Sequence, residues 1–315
     1  MQTTPSPPGA VADASRDNWV DRFAPEGVKP YARLARWDRP IGFWLLFWPC
    51  GFGLALAAVA APDRGFDWRA LLLMFAGAIL MRGAGCTFND IVDRDIDQKV
   101  ARTRLRPIPA GQVTTRQAAG FMILQAALGA VILIQFNLLT IGLGVGSLAL
   151  VAIYPFMKRI TWWPQIVLGL AFSWGALMGF AVTLGRIDAT ALVLYAGSIA
   201  WVIGYDTIYA HQDAEDDALI GIKSTALLFG ARTRPALMVF YGLAVVLIGA
   251  ALMLAGARWP AWIGLAAFTA HLIWQIRRLE IGDPALCLRI FKSNRDAGLL
   301  LFAGLLVDAV MRAAN

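Results

Sequence analysis

Residues 70–111 read ALLLMFAGAILMRGAGCTFNDIVDRDIDQKVARTRLRPIPAG. The first half is apolar for long enough to cross a hydrocarbon core, which takes about 20 helical residues. The second half breaks into Asp90, Asp93, Asp95 and Asp97, followed by Arg102, Arg104 and Arg106. An apolar span ending in carboxylates beside a basic loop predicts a membrane helix with a polar site at its rim.

Apolar runs like this one recur at 40–61, 70–90, 118–136, 138–157, 163–185, 189–206, 236–257, 259–276 and 296–313. Only 16% of the 315 residues are charged and 58% are hydrophobic, whereas soluble domains carry about 25% charge. The expected fold is all-α, a polytopic membrane bundle of about nine helices around a central cavity. Residues 31–315 are expected to form that single domain. Residues 1–30, rich in Pro, Ala, Ser and Asp and without an apolar run, read as a flexible cytoplasmic extension.

The net charge of +7 raises the question of nucleic acid, but its distribution points to the lipid bilayer. With the N-terminus inside, 22 of the 28 Lys and Arg residues fall on the cytoplasmic side and five on the other, Arg82 lying within the second span. That asymmetry is a positive-inside signal, and no nucleic-acid partner is expected. Cys50, Cys86 and Cys287 have neither disulfide nor zinc spacing.

On a continuing helix, Asn89, Asp93 and Asp97 fall at i, i+4 and i+8 and share a face, with Asp95 turned to solvent. Stacked like charges repel unless a cation neutralises them, and hard oxygen donors suit Mg²⁺. A second acidic set lies in YDTIYAHQDAEDDALIGIKST, residues 205–225. There Asp213 and Asp217 are four apart, and Asp206 stands seven before Asp213. The topology places both sets on the cytoplasmic side, where two carboxylate jaws would clamp Mg²⁺ around a diphosphate. Arg106, Lys158, Arg159 and Lys223 have the chemistry of phosphate contacts, although cytoplasmic loops are basic in any case. Arg82, seven residues before Asn89 and within the apolar span, is a candidate site residue by its position. Arg36 and Asp38 precede the first span and are able to turn inward.

The chain resembles the UbiA family of intramembrane aromatic prenyltransferases, and within it the 4-hydroxybenzoate polyprenyltransferases. The resemblance rests on RWDRPIG (36–42), MRGAGCTFNDIVDRDID (81–97), RTRLRPIPAG (102–111), YPFMKRITWWPQ (154–165), YDTIYAHQDAEDDALIGIKSTA (205–226) and FKSN (291–294). It implies that Asn89, Asp93 and Asp97, with Asp213 and Asp217, hold Mg²⁺ against a polyprenyl diphosphate. Arg159, Lys158 and Arg106 are implied diphosphate contacts. Arg36 or Arg82 is expected to meet the carboxylate of 4-hydroxybenzoate, and Asp206 to orient or deprotonate its phenol. The expected setting is a bacterial inner membrane, with the site on the cytoplasmic side and no protein partner required. Other acceptors remain open at this point: homogentisate, a naphthoate, haem or chlorophyllide. A cation-coupled transporter is the alternative of another class; it predicts carboxylates at mid-membrane helix breaks.

Overall fold

The computed structural model describes residues 18–98, 103–212, 214–219 and 221–314, with only the backbone of 215–217. Among the described residues there are helices and no strands: α1 (Trp19–Phe23), α2 (Lys29–Leu34), α3 (Ile41–Ala60), α4 (Trp68–Asp97), α5 (Thr115–Leu133), α6 (Leu138–Ile160), α7 (Pro164–Ser173) and α8 (Gly175–Leu184), followed by α9 (Ala189–Ala210), α10 (Ala214–Leu219), α11 (Thr225–Phe229), α12 (Thr233–Leu254), α13 (Trp259–Arg278), α14 (Pro284–Lys292) and α15 (Asn294–Ala313). Seven segments of these are long and apolar enough to cross a membrane. The long helices α13 and α15 coincide with the two remaining apolar runs. Large apolar side chains point outward along them, including Ile123, Leu124 and Val131 on α5 and Met238, Val246 and Met253 on α12. Apolar surface on that scale belongs against lipid.

Local chemistry explains several of the helix ends. Asn137 caps α6 by accepting from Thr140 N–H, and its Nδ2 donates to the carbonyls of Ala181 and Val182. The two runs that nearly touch at residue 137 are therefore separate helices, α5 and α6. Asp188 caps α9 and Asp283 caps α14. The expected single run 163–185 is interrupted at Trp174, between Ser173 and Gly175. Small residues at such a point weaken the helical ladder.

The structure divides into two compact units, one of residues 1–43 and 76–132, the other of residues 44–75 and 133–315. In the first, Leu34, Val113 and Ala118 form a small core with Tyr31, Ile91, Ile108 and Phe121 around it. Asp21 pairs with Arg33 at 2.8 Å and Trp19 Nε1 donates to the Trp37 carbonyl. Residues 18–34, part of which was expected to be extension, thus include two helices tied to each other and to Trp37, ahead of the first span.

In the second unit α9 packs against α7 and α12, and α13 against α15. Small residues set the closest approaches, as in membrane bundles generally. A Cβ on Gly179 would stand 2.2 Å from the Cys50 carbonyl oxygen, and one on Gly264 would stand 2.8 Å from the Gly304 Cα. One buried acid ties several helix ends. Asp308 is fully buried, accepts from Arg312 Nε at 3.1 Å and from the Arg258 N–H at 2.6 Å. Arg312 in turn donates to the carbonyls of Val59 and Gly256. Removing one partner of a buried pair leaves the other charge uncompensated. Asp308→Ala should cost about 3 kcal/mol, read as a lowered unfolding temperature of the purified protein in detergent.

Candidate functional site

α4 does not stop at the end of its apolar stretch; it continues to Asp97. Asn89, Asp93 and Asp97 therefore stand one turn apart, as the spacing predicts. Asn89 Nδ2 donates to Asp93 Oδ2 at 3.0 Å. Asp93 and Asp97 are 1% and 5% exposed, whereas the Asp95 side chain is 77% exposed. The carboxylate that solvates itself is the one the periodicity sets aside.

Asp90 is the residue sequence reasoning missed. It is fully buried, and its Oδ1 accepts from Arg36 Nη2 at 2.6 Å and from Arg106 Nη1 at 3.1 Å. Arg106 Nη1 also donates to Asp97 Oδ2 at 2.8 Å. A signal existed: Asp90, Asp93 and Asp97 stand at i, i+3 and i+7, which is also one helical face. Arg106 is delivered by a compact loop. The Thr103 hydroxyl donates to the Asp97 carbonyl, the Arg106 N–H to the Thr103 carbonyl, and Gln112 and Val113 N–H to the Pro107 carbonyl. Gly111 supplies the positive φ that this reversal needs.

Arg36 is held by an unusual helix end. After α2, Arg36 N–H donates to the Arg33 carbonyl and Trp37 N–H to the Ala32 carbonyl. This is the paired bonding of a Schellman ending, whose left-handed residue is usually glycine. Here it is Arg36, with φ 60°, the one non-glycine residue at positive φ among those described. Its Nη1 donates back to the Arg33 carbonyl at 2.9 Å while Nη2 reaches Asp90. A Cβ in the left-handed region costs roughly 1 kcal/mol, so the ion pair must outweigh that strain. Arg36→Gly should be more stable than Arg36→Ala by about 1 kcal/mol, both falling below wild type, in thermal unfolding measured side by side.

Arg82 lies where a Cβ on Gly42 would come within 2.5 Å of its Nε, so the bare backbone of Gly42 makes room for the guanidinium.

In the other unit α9 carries Asp206, which is half-buried, and ends at Ala210. The seven-residue step from Asp206 to Asp213 runs past the end of α9. His211 N–H reaches back to the Ile208 carbonyl, Gln212 N–H bonds the Tyr209 carbonyl, and a new helix, α10, begins at Ala214. Asp213 lies outside the described residues; Asp217 falls within α10, whose backbone alone is described there. His211 Nε2 meets Thr233 Oγ1 at 2.9 Å, while that hydroxyl donates to the Gly230 carbonyl. A hydroxyl has one hydrogen, so the imidazole donates through Nε2–H.

Burial keeps the His211 pKa below its ordinary 6.5, so the neutral ring stabilises the fold fully above pH 6.5. That contribution is lost as the pH falls through the lower native value. Wild type should therefore lose more thermal stability between about pH 7 and 5 than His211→Gln.

The candidate cations Lys158 and Lys223 are brought together. Lys223 N–H donates to the Lys158 carbonyl at 2.9 Å, and Lys223 Nζ donates to the Ile160 carbonyl at 3.1 Å. Gln165 Oε1 accepts from Thr225 N–H at 3.1 Å. Arg159 is exposed in the last turn of α6.

The FKSN stretch proves to be internal. Asn294 Oδ1 accepts from Trp201 Nε1 and Gln275 Nε2, and Gln275 Oε1 accepts from Tyr241. Phe291 lies against Tyr205 and Tyr209, on either side of Asp206.

As a donor set, Asn89, Asp93 and Asp97 fit a hard divalent cation: oxygen ligands one turn apart, the two carboxylates buried, beside a basic loop. Among the described residues no group of three or more Asp, Glu, His or Cys side chains stands gathered for a metal ion. Asp97 is turned to Arg106.

The model of the UbiA prenyltransferase family matches residues 46–304, and the chain belongs to that family. Among curated proteins it is 50% identical over 289 residues to the mitochondrial 4-hydroxybenzoate polyprenyltransferase of Aedes aegypti, covering 90% of this chain and 64% of that one. The Homo sapiens protein of the same name is 47% identical over 307 residues, covering 96% of this chain and 81% of its own length. The chain thus spans just under two thirds of the mosquito protein. A solved UbiA homolog from Aeropyrum pernix K1 superposes with a TM-score of 0.70 at 27% identity, over 82% of this chain and 97% of that one. A UbiA homolog from Archaeoglobus fulgidus, solved bound to GPP and Mg²⁺, gives 0.64 at 18% identity over 90% and 99%, a likeness of fold.

Proposed function

We propose that this chain transfers a polyprenyl group from polyprenyl diphosphate to the ring carbon ortho to the hydroxyl of 4-hydroxybenzoate, in ubiquinone biosynthesis. The observation that carries the reading is the row Asn89–Asp93–Asp97 at the end of a membrane span, its two carboxylates buried and flanked by Arg106, in a member of this family. The relatives named above support the choice of acceptor.

Asn89, Asp93 and Asp97 hold Mg²⁺ in this reading, with Asp213 and Asp217 as the second set of ligands. Bound Mg²⁺ supplies Lewis acidity that neutralises the diphosphate and makes it a better leaving group. Arg106, Lys158, Arg159 and Lys223 add hydrogen bonds and positive charge to the departing oxygens. The ionised allylic fragment is attacked by the ring carbon ortho to the phenol oxygen, and loss of that carbon's proton restores aromaticity. Apolar surroundings keep water from the cationic fragment.

Arg82 is preferred to Arg36 as the contact for the acceptor carboxylate, because the Arg36 guanidinium is spent on Asp90 and on backbone carbonyls. Asp206 orients the phenol or takes its proton. The basic loops support a site on the cytoplasmic side of the membrane; the curated relatives are mitochondrial proteins. The isoprenoid tail stays in the bilayer, and no protein partner is required.

Asp93→Asn should abolish Mg²⁺-dependent formation of prenylated 4-hydroxybenzoate in membranes, read by product mass, while the variant still inserts. Arg159→Ala should mainly raise the KM for the prenyl diphosphate. Turnover of Asp93→Asn at the wild-type rate would remove the metal role, and an Arg159→Ala effect confined to the aromatic KM would move Arg159 to the other substrate.

A further inference from the structure

Two carboxylates on one face of α4, Asp90 and Asp97, share two guanidiniums, and they share them unequally. Asp90 is fully buried and bonded to both Arg36 and Arg106. Among the described residues Asp97 pairs with Arg106, through the same Nη1 that reaches Asp90. Arg36 is fixed by its helix ending, so its bond to Asp90 is a permanent one. Arg106 sits on a loop, and its Nε has no hydrogen-bond partner although it is buried. One further donor of this guanidinium is therefore uncommitted, and so is Asp90 Oδ2.

We propose that Arg106 is an exchangeable counter-ion of Asp97, held in reserve by Asp90. Its guanidinium neutralises Asp97 until a divalent cation takes that carboxylate. It then turns about Asp90 onto the anionic phosphate that the cation carries. This rests on the reading above that Asn89, Asp93 and Asp97 bind the metal. The arrangement has a physical logic: a carboxylate buried to this degree is costly unless paired. Handing Asp97 from a guanidinium to a metal ion never leaves it bare. Because Asp90 stays paired throughout, the released arginine keeps a partner and stays within reach. Asp90 is accordingly a positioning residue, acting on the site through Arg106.

The distinguishing consequence is a pair of opposite effects from one substitution. Removing Arg106 removes a competitor for Asp97, so affinity for a divalent cation alone should rise. It also removes a phosphate donor, so affinity for an anion presented with the cation should fall. The test uses the purified full chain in detergent and follows Mn²⁺ by electron paramagnetic resonance, first alone and then with inorganic pyrophosphate.

In R106Q, Mn²⁺ alone should bind roughly tenfold more tightly than in wild type, the scale of one lost charge-assisted hydrogen bond. Pyrophosphate with Mn²⁺ should bind less tightly. R106K places an ammonium point charge where one nitrogen of a planar guanidinium bridges two carboxylates. Mn²⁺ alone should gain there too, by less, so the proposal stands or falls even if R106Q does not fold. Unchanged or weaker Mn²⁺ binding in both variants, with D97N losing it, overturns the exchange and leaves the metal face standing. Wild-type Mn²⁺ binding in D97N overturns the metal face itself.

Discussion

A carboxylate with no exposure, Asp90, lies between two guanidiniums. Moving such an ion out of water costs several kcal/mol after relaxation, and its attraction to a partner offsets this only with good geometry. Both guanidiniums reach the same oxygen at bonding distance, and each is delivered by a backbone feature of its own. Arg36 comes from a left-handed helix end and Arg106 from a loop closed by Pro107 and Gly111. The N-terminal helices, the acidic end of α4 and the basic loop are thereby tied into one polar junction.

Much of the fold was legible because a bilayer imposes length and hydrophobicity on each span. The apolar runs found their helices, and the one-turn spacing of Asn89, Asp93 and Asp97 survived because α4 continues as a regular helix past its apolar part. Asp95 was rightly set aside for the same reason. The end of α9 at Ala210 was not legible in the same way. Nothing as strong as a proline or glycine marks that break; it is made by the backbone bonds of His211 and Gln212, which sequence spacing does not encode.

Partners distant in sequence were the other blind spot. Asp90 meets Arg36, 54 residues away, and Asn294 meets Trp201, 93 residues away. FKSN could be quoted as a pattern, but its meaning is three-dimensional. The asparagine satisfies an indole and a glutamine inside the bundle, and the phenylalanine steadies the tyrosines beside Asp206. Such polar side chains look functional in a linear reading because apolar spans contain few of them.

The tie between the 158–165 and 223–225 segments has a separate implication for variation. The Lys223 N–H donates to the Lys158 carbonyl, a backbone bond that any residue but proline at 223 is able to make. It is sensitive to how many residues lie on either side. An insertion or deletion there would shift the register of both loops at once, and with it the positions of both lysines. Changes in loop length should accumulate elsewhere in the chain.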